Sequence, residues 1–448
     1  MIYKHSCPQK IAVLFCSLLQ EGGKYTIMVA QRSEKERGMI MALTKREYTT
    51  VKITKKAENT VVQGHPWVFD GELTEIDGTL TDGALVDVLS HKGSYLGTGF
   101  YNSHSKIKIR LISRNVNDKF DEAFFERRLR YAWEYRKTVM GGDLNCCRVI
   151  FGEADTFPGL TVDKFNDILV TQTLSLGIEQ RKDIIFPLLY KILNEDGQGI
   201  RAIYERNDVA IRELEGLTQN KGFYPLAGVT PPQDTHTIIT ENGIRYQVDY
   251  ENGQKTGFFL DQKYNRAAVA RLAKGKRVLD CFTHTGSFAL NAVQGGAAHV
   301  CAVDISEDAV NMAKSNAALN GFEDRMSFRC ADVFDLLPSL SKSEGFDFII
   351  LDPPAFTKSR ATVKSAARGY KEINLRAMKL LPRGGYLATC SCSHFMQDEL
   401  FRKMLVSAAQ DAQVSLRQIE ARQQAPDHPI LWNVPETDYL KFYLFQVV

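Results

Sequence analysis

Residues 277–288 read Arg-Val-Leu-Asp-Cys-Phe-Thr-His-Thr-Gly-Ser-Phe, an apolar run that reaches Asp280 and passes into a loop with one glycine, Gly286. The run predicts a short buried strand, and the residues from Gly286 to Gln294 predict the helix after it. A dinucleotide-binding turn needs three spaced glycines to bring the backbone close to a pyrophosphate. The stretch therefore indicates an α/β fold and disfavours nicotinamide and flavin cofactors.

Strand-like and helix-like segments alternate beyond this stretch. A helix is expected to begin after the N-cap residue Ser306 and to end at Asn320-Gly321. Further apolar runs predict strands at 299–303, 346–351 and 385–389. Such alternation is typical of a parallel, doubly wound sheet, which binds its ligands at the carboxyl ends of the strands.

Acidic residues follow two more strands of this predicted sheet. Asp304 stands where a carboxylate can accept hydrogen bonds from both hydroxyls of a ribose. Asp332-Val-Phe334 stands where it can meet the edge and the face of an adenine. One such aspartate is usually a helix cap, but the series predicts an adenosine without phosphates, as in S-adenosylmethionine. The predicted contacts are Asp280, Phe282, Thr283, Gly286, Asp304, Asp332 and Val333.

Composition excludes several classes of protein. The chain has 448 residues, 44% hydrophobic and 24% charged, which predicts two or three globular domains. With 56 basic and 53 acidic residues, any polyanion must be held by a local patch. Nine scattered cysteines predict neither a zinc site nor a disulfide framework, so a reducing cytoplasm is the expected location.

The first forty residues differ from the rest. The apolar run at 11–19 is far shorter than the roughly 20 residues that span a bilayer, and no membrane association is expected. We expect Met41 to be the natural start and residues 1–40 to be an extension without a folded role. This segment holds six Lys or Arg and three Asp or Glu, which leaves 50 of each sign in the remainder.

Short apolar runs between Gly and Asp turns predict a small β barrel after Met41. On one of its strands Lys106, Lys108 and Arg110 share a face, either as an ordinary solvated edge or as a stripe that contacts phosphates. A mixed α+β region follows, and a Pro-containing stretch at 229–235 marks the next boundary. The expected segments are 1–40, 41–117, 118–228 and 229–448.

A set of short motifs extends from about Met41 to the end of the chain. They are Gly64–Phe69, Glu153–Leu160, Tyr204–Asp208, Asp280–Phe288, Asp352-Pro-Pro-Ala-Phe356, Arg368–Asn374, Thr389-Cys-Ser-Cys-Ser393, Asp427–Pro429, Pro435-Glu436 and Tyr439-Leu-Lys441. In these motifs the chain resembles the RlmI-type family of 23S ribosomal RNA cytosine-5 methyltransferases. The resemblance implies an N-terminal PUA-like β barrel, a small central α+β domain, a C-terminal Rossmann-like class I methyltransferase domain, S-adenosylmethionine as cofactor and large-subunit ribosomal RNA as partner.

Methylation at C5 of cytosine needs covalent help, because this carbon is a poor nucleophile. A thiolate adds to C6, and C5 then attacks the methyl group. Cys390 and Cys392 both lie near the end of a predicted strand, and the register of the family's Ser-Cys-Ser motif favours Cys392. Cys390 is then a small packed hydrophobe, although the residues alone leave either choice open.

Asp352 is the second predicted catalytic residue. Its carboxyl group can bond cytosine N3, or it can simply order the Asp-Pro-Pro loop. Ala355 stands where many other RNA cytosine-5 enzymes carry a second cysteine, so the base that removes the C5 proton is unassigned. Residues 254–262 resemble the family's segment over the methionine end of the cofactor, which predicts a contact from Phe259. Phe258 and Phe259 are equally compatible with the apolar core.

A basic segment follows the Asp-Pro-Pro motif. It is either solvated surface or a clamp on phosphates around an extruded nucleotide. Its residues are Lys358, Arg360, Lys364, Arg368 and Lys371. Two other functions stay open: methylation of a guanine or an exocyclic amino nitrogen, and a non-catalytic RNA-binding role in ribosome assembly. A homodimer is compatible with the sequence.

Overall fold

The computed structural model describes residues 20–21, 24–25 and 46–448. The first two pairs form an antiparallel ladder, and residues 49–448 form one compact unit. Apart from that ladder, the expectations about Met41 and the extension at 1–40 lie outside the described residues.

A curled six-stranded sheet forms the N-terminal part of this unit. Its strands, in spatial order, are Trp67–Phe69, Ile107–Ser113, Tyr95–Tyr101, Leu85–Leu89, Thr49–Ile53 and Leu73–Asp77. The Thr49–Ile53 and Leu85–Leu89 strands pair in parallel, and every other pairing is antiparallel. One helix, Lys55–Val62, packs with the sheet through Ala57 and Val61, around a core of valine and isoleucine side chains.

The central part is a five-stranded sheet with two long helices and the short helix Leu176–Glu179. In spatial order the strands are Lys221–Phe223, Ala202–Arg206, Ile168–Thr173, Leu160–Phe165 and Cys146–Phe151. The Glu122–Met140 helix begins at the Asp121 cap, whose carboxylate accepts a bond from the backbone of Phe124, and it ends at Gly141. Its apolar face packs with the Lys182–Glu195 helix in one core, so the predicted α+β unit is confirmed.

A hairpin, His236–Glu241 with Ile244–Asp249, precedes a seven-stranded sheet. The spatial order of that sheet is Met326–Cys330, His299–Asp304, Arg277–Cys281, Phe348–Leu351, Tyr386–Ser391, Lys441–Val447 and Leu416–Arg422. The first five strands are parallel as predicted. The Lys441–Val447 strand runs antiparallel to both of its neighbours, so the sheet is mixed.

Helices cover both faces of this sheet. They are Lys263–Leu272, Ser287–Gln294, Glu307–Asn320, Val333–Ser339, Val363–Leu380 and Asp398–Ala412. Because side chains alternate along a strand, Val278 belongs to one apolar core and Leu279 to the other. The predicted doubly wound arrangement is therefore confirmed. Among the described helices, none combines the length and apolar content needed to cross a membrane.

Candidate active site

A cavity of about 380 Å³ opens at the carboxyl ends of the parallel strands. This is the edge at which a doubly wound sheet binds its ligands. Eight residues predicted from the sequence line it: Phe259, Phe282, Thr283, Asp304, Asp332, Val333, Asp352 and Cys392. Asp280 and Gly286 belong to the same strand and loop but do not line the cavity.

Asp280 supports the cavity loop from inside the protein. Its fully buried carboxylate accepts bonds from Thr283 Oγ1 at 2.6 Å and from the backbone of Ala289 at 3.0 Å. Burial raises the pKa of Asp280 to about 7. The sequence predicted a contact between this residue and the cofactor. In the structure the side chain does not line the cavity. It instead bonds Thr283 and Ala289, and these bonds fix the loop to the start of the next helix.

Close packing requires a glycine at position 286 of the same loop. Its φ angle is +81°, and a Cβ atom there would lie 2.7 Å from Leu290 Cδ1 and 3.0 Å from Ala313 Cβ. Phe282 and His284 also have positive φ, at 65° and 52°, which is uncommon for residues with bulky side chains. Such strain is concentrated at functional sites.

Asp304 and Asp332 are held with hydrogen-bonding capacity to spare. The two oxygens of Asp304 accept backbone bonds from His284 at 2.9 Å and Ser306 at 3.0 Å. Asp332 caps a helix by accepting from the backbone of Phe334 at 2.8 Å. Each carboxylate oxygen has a second lone pair, which a ligand hydroxyl or amino group can use.

Two apolar side chains lie beside these acids: Phe334, which the sequence analysis placed against the adenine, and Ile305, which it missed. Ile305 is 67% exposed and Phe334 is 38% exposed, and both line the cavity. Exposed apolar surface next to fixed carboxylates suits a flat ring attached to a sugar. The position of Ile305, directly after the strand-end acid Asp304, was the available signal.

The 254–262 segment forms the opposite wall. Phe259 meets His284 edge to face at 5.1 Å between ring centroids. Gln262 Nε2 donates to Asp352 Oδ1 at 3.0 Å, and Asp261 accepts from the hydroxyl of Tyr439 at 2.7 Å. Asp261 and Gln262 were also missed, because a polar pair after an apolar run is an ordinary helix start.

Asp352 and Cys392 follow neighbouring parallel strands and line the same cavity. Burial, aided by the charge of Asp261, raises the pKa of Asp352 to about 6. Burial and the charge of Asp352 raise the pKa of Cys392 to about 11. Cys392 Sγ lies 3.9 Å from the carbonyl oxygen of Pro353, so the two strand ends are in contact. The free protein therefore holds a protonated thiol here at neutral pH.

The two cysteines of the Thr389–Ser393 motif have different surroundings. Cys390 is fully buried in an apolar core and does not line the cavity. Burial raises the pKa of its thiol well above the usual value. Of the two thiols, Cys392 is the one that a ligand in the cavity can meet.

Lys441 is a buried cation close to Cys392. Its ammonium group donates to the carbonyl oxygens of Ser393 at 2.6 Å and Tyr439 at 2.8 Å. Burial lowers the pKa of Lys441 to about 8, while its positive charge favours the thiolate of Cys392.

The predicted RNA-contacting residues lie in two places. Lys358, Arg360, Lys364 and Arg368 are exposed near the start of the Val363–Leu380 helix, whereas Lys371 pairs with Asp411 at 2.7 Å. On the N-terminal sheet, Lys106 is exposed, Lys108 lies 3.8 Å from Asp70, and Arg110 pairs with Glu153 and Glu215.

Two families match the chain. Residues 226–446 match a family described as S-adenosylmethionine-dependent methyltransferase, and residues 51–114 match one described as PUA-like domain. These ranges contain the seven-stranded sheet and most of the curled N-terminal sheet.

Curated relatives are similar over most of their length. The ribosomal RNA large subunit methyltransferase I of Klebsiella pneumoniae strain 342 is 39% identical over 88% of this chain and 98% of its own. The protein of the same description from Escherichia coli strain SMS-3-5 is 38% identical over the same shares.

Solved structures share the fold. A SAM-dependent methyltransferase from Streptococcus mutans and a methyltransferase complexed with SAH each give a TM-score of 0.73. Each is 22% identical and covers 89% of this chain and all of its own.

Proposed function

This chain belongs to the ribosomal RNA large subunit methyltransferase I family, and we propose that it methylates C5 of a cytosine in large-subunit ribosomal RNA. The observation that carries the proposal is Cys392, which lines one cavity together with Asp352 and two fixed acids that suit an adenosine. Cytosine-5 methylation requires a thiol nucleophile at this place.

S-adenosylmethionine fits the other half of the cavity. Asp304 would accept hydrogen bonds from the ribose hydroxyls and Asp332 from the adenine amino group, while Ile305 and Phe334 would pack against the adenine. The cofactor supplies an electrophilic methyl group on a sulfonium.

Cys392 is the proposed nucleophile. Its thiol loses a proton and its sulfur forms a bond to C6, which makes C5 nucleophilic. Since the thiol has a pKa of about 11 in the free protein, substrate binding must favour the thiolate. A protonated Asp352 that donates to cytosine N3 loses the negative charge that opposes this thiolate, and Lys441 adds a positive charge nearby.

Cys392 must also be released from the methylated base. After methyl transfer, a base removes the proton from C5, the electron pair of that bond re-forms the C5–C6 double bond, and the sulfur leaves C6 as a thiolate. Ala355 has no thiol to assist this step, so Cys392 must serve both addition and elimination. We propose that Lys358, Arg360, Lys364 and Arg368 hold phosphates around the extruded cytosine.

RNA that contains 5-fluorocytosine tests the nucleophile. Fluorine at C5 cannot leave as a proton does, so the adduct persists and migrates as a protein–RNA species in a denaturing gel. We expect adducts with the wild type and with Cys390→Ala, and none with Cys392→Ala. The reverse pattern would make Cys390 the nucleophile.

Methyl transfer to ribosomal RNA separates the competing functions. Cys392→Ala should abolish it if cytosine C5 is the target, whereas intact transfer would support methylation of a guanine or an amino nitrogen. Absence of transfer by the wild type, to naked RNA and to ribosomal subunits alike, would support a non-catalytic assembly role. Mapping the modified base in RNA from cells with and without the gene identifies the site.

A further inference from the structure

Trp432 stands at the rim of a groove of about 860 Å³ beside the catalytic cavity. Its side chain is 95% exposed, whereas Trp133 is fully buried and Trp67 is half-buried. A tryptophan left in water gives up the large gain that burial of its ring would bring, and such exposed aromatic rings are typical of binding surfaces.

The turn that carries Trp432 is held by internal hydrogen bonds. The backbone of Val434 donates to Leu431 O at 2.8 Å, and the backbone of Leu431 donates to the buried hydroxyl of Thr437 at 2.9 Å. That hydroxyl also donates to Val434 O at 2.7 Å. The ring is therefore presented from an ordered turn, and little conformational entropy would be lost when a partner binds it.

Residues that lie close together in the chain line the groove and the catalytic cavity. His394 lines the groove and Cys392 lines the cavity, and two residues of chain span at most about 7 Å. Lys441, whose charge favours the Cys392 thiolate, also lines the groove. If an RNA strand places one base at Cys392, its neighbouring nucleotide would thus lie along the groove.

The turn that carries Trp432 also contacts the N-terminal sheet region. His65 Nε2 lies 3.2 Å from Glu436 Oε2, and a Cβ on Gly64 would lie 2.1 Å from the Asn433 side chain. Both contacts join the Gly64–Phe69 motif of the PUA-like domain to the turn that carries Trp432. RNA held by that domain would reach the cavity past this ring.

The charges of the groove suit a phosphate. Arg402 is exposed and forms no ion pair with any residue that the structure describes. Three cations, Arg402, Arg422 and Lys441, line the groove together with two acids, Asp398 and Asp438. A free guanidinium beside an exposed indole is the combination that binds single-stranded nucleic acid through phosphate contact and base stacking.

We propose that this groove binds an unpaired nucleotide of the RNA next to the target cytosine, with its base stacked on Trp432 and its phosphate near Arg402. The inference rests on the proposed function, since it takes RNA as the substrate. A second copy of this chain is the competing occupant, and it would need about 800 Å² of complementary surface.

Tryptophan fluorescence tests the stacking directly. The probe is a single-stranded RNA of about 12 nucleotides, compared with the same strand in a duplex. We expect the single strand to quench the emission of Trp432 and the duplex to quench it less. Trp432→Phe should remove the signal yet keep most of the affinity, whereas Trp432→Ala should weaken binding about tenfold by fluorescence anisotropy of labelled RNA.

Ile238→Ala is the matched control. Ile238 is 48% exposed on the His236–Glu241 strand and lines neither the groove nor the cavity. This variant should bind RNA like the wild type. Arg402→Gln should weaken binding and lower its dependence on salt.

Three results would overturn the inference: unchanged affinity in Trp432→Ala, equal weakening in Ile238→Ala, or a Trp432→Ala protein that changes from dimer to monomer in sedimentation. These assays do not require methyl transfer. Normal quenching without any 5-methylcytosine product would therefore refute the proposed function alone, while methylation with unchanged affinity in Trp432→Ala would refute the groove alone.

Discussion

The basic residues of the N-terminal sheet and those near the Val363–Leu380 helix meet very different partners. Arg110 is 11% exposed and forms ion pairs at 3.3 Å with Glu153 and 2.8 Å with Glu215. The four cations Lys358, Arg360, Lys364 and Arg368 are exposed, and none forms an ion pair with a described residue. Cations that look alike in the sequence thus differ in the charge they leave free.

Arg110 joins the N-terminal sheet to the central part of the chain. Glu215, which is 6% exposed, also accepts bonds from Asn102 at 3.1 Å and Ser105 at 2.5 Å. Trp67 Nε1 donates to Glu153 at 3.0 Å. Within this network the charge of Arg110 is compensated, so its main effect is on stability.

The four exposed cations lie near the N-terminus of a helix, where positive charge is least favourable. Lys364 is in the first turn of the Val363–Leu380 helix, and Lys358 and Arg360 precede it. Cations at a helix N-terminus oppose the helix dipole, which favours anions there. Their position costs stability in the free protein and favours binding of phosphate.

The largest effect is expected from Glu215→Ala, which breaks the buried network. It leaves Arg110, Asn102 and Ser105 without their common acceptor and should lower the free energy of unfolding by about 3 kcal/mol or more. Urea unfolding followed by circular dichroism measures the change. Glu213→Ala, an exposed neighbour, is the control and should change little. A small loss in Glu215→Ala would mean that the network contributes no more than a surface ion pair.

The second effect is on RNA binding. With glutamine at positions 358, 360, 364 and 368, the slope of log affinity against log salt should fall by about 3, since each single-strand phosphate contact contributes about 0.7. Affinity at low salt should fall at least tenfold, while stability holds or rises slightly. Lys379→Gln with Arg383→Gln, at the other end of the same helix, should leave the slope unchanged. An unaltered slope in the fourfold variant would place the phosphate contacts elsewhere.

Much of the fold was predictable because its signals are local. The Ser306 cap, the Gly321 stop and the apolar runs define the strands and helices of the sheet without knowledge of distant residues. The antiparallel direction of Lys441–Val447 was not predictable in this way, because it depends on how the last connection crosses the sheet.

The orientation and exposure of side chains in the site were also not predictable from local sequence. Sequence placed Asp280 and Asp304 at strand ends but could not show that the first points under the loop and the second lines the cavity. Exposure of Trp432 and compensation of Arg110 likewise depend on residues far away in the chain.

A smaller effect is expected at Lys106, the exposed cation of the N-terminal stripe. If it contacts a phosphate of the RNA, Lys106→Gln should lower the salt slope by about 0.7 and leave stability unchanged. Lys108→Gln, whose ammonium group already donates to Ser103 O at 2.6 Å, should lower it less. Equal slopes in the wild type and Lys106→Gln would leave this face an ordinary solvated edge.

The smallest effect is expected at Lys371, the one residue of the basic segment 358–371 that forms an ion pair with a described residue. Its ammonium group pairs with Asp411 at 2.7 Å, with both side chains partly exposed, so the pair contributes less than about 1 kcal/mol to stability. Because its charge is compensated, Lys371→Gln should leave the salt slope of RNA binding unchanged, unlike the same substitution at Arg368. Asp411→Asn provides the complementary measurement, since it frees the Lys371 charge and should strengthen RNA binding slightly if the phosphate backbone passes this turn of the helix. A fall in slope for Lys371→Gln as large as that for Arg368→Gln would show that an ion pair on this surface does not remove a cation from the RNA interface, and the contrast with Arg110 would then rest on burial alone.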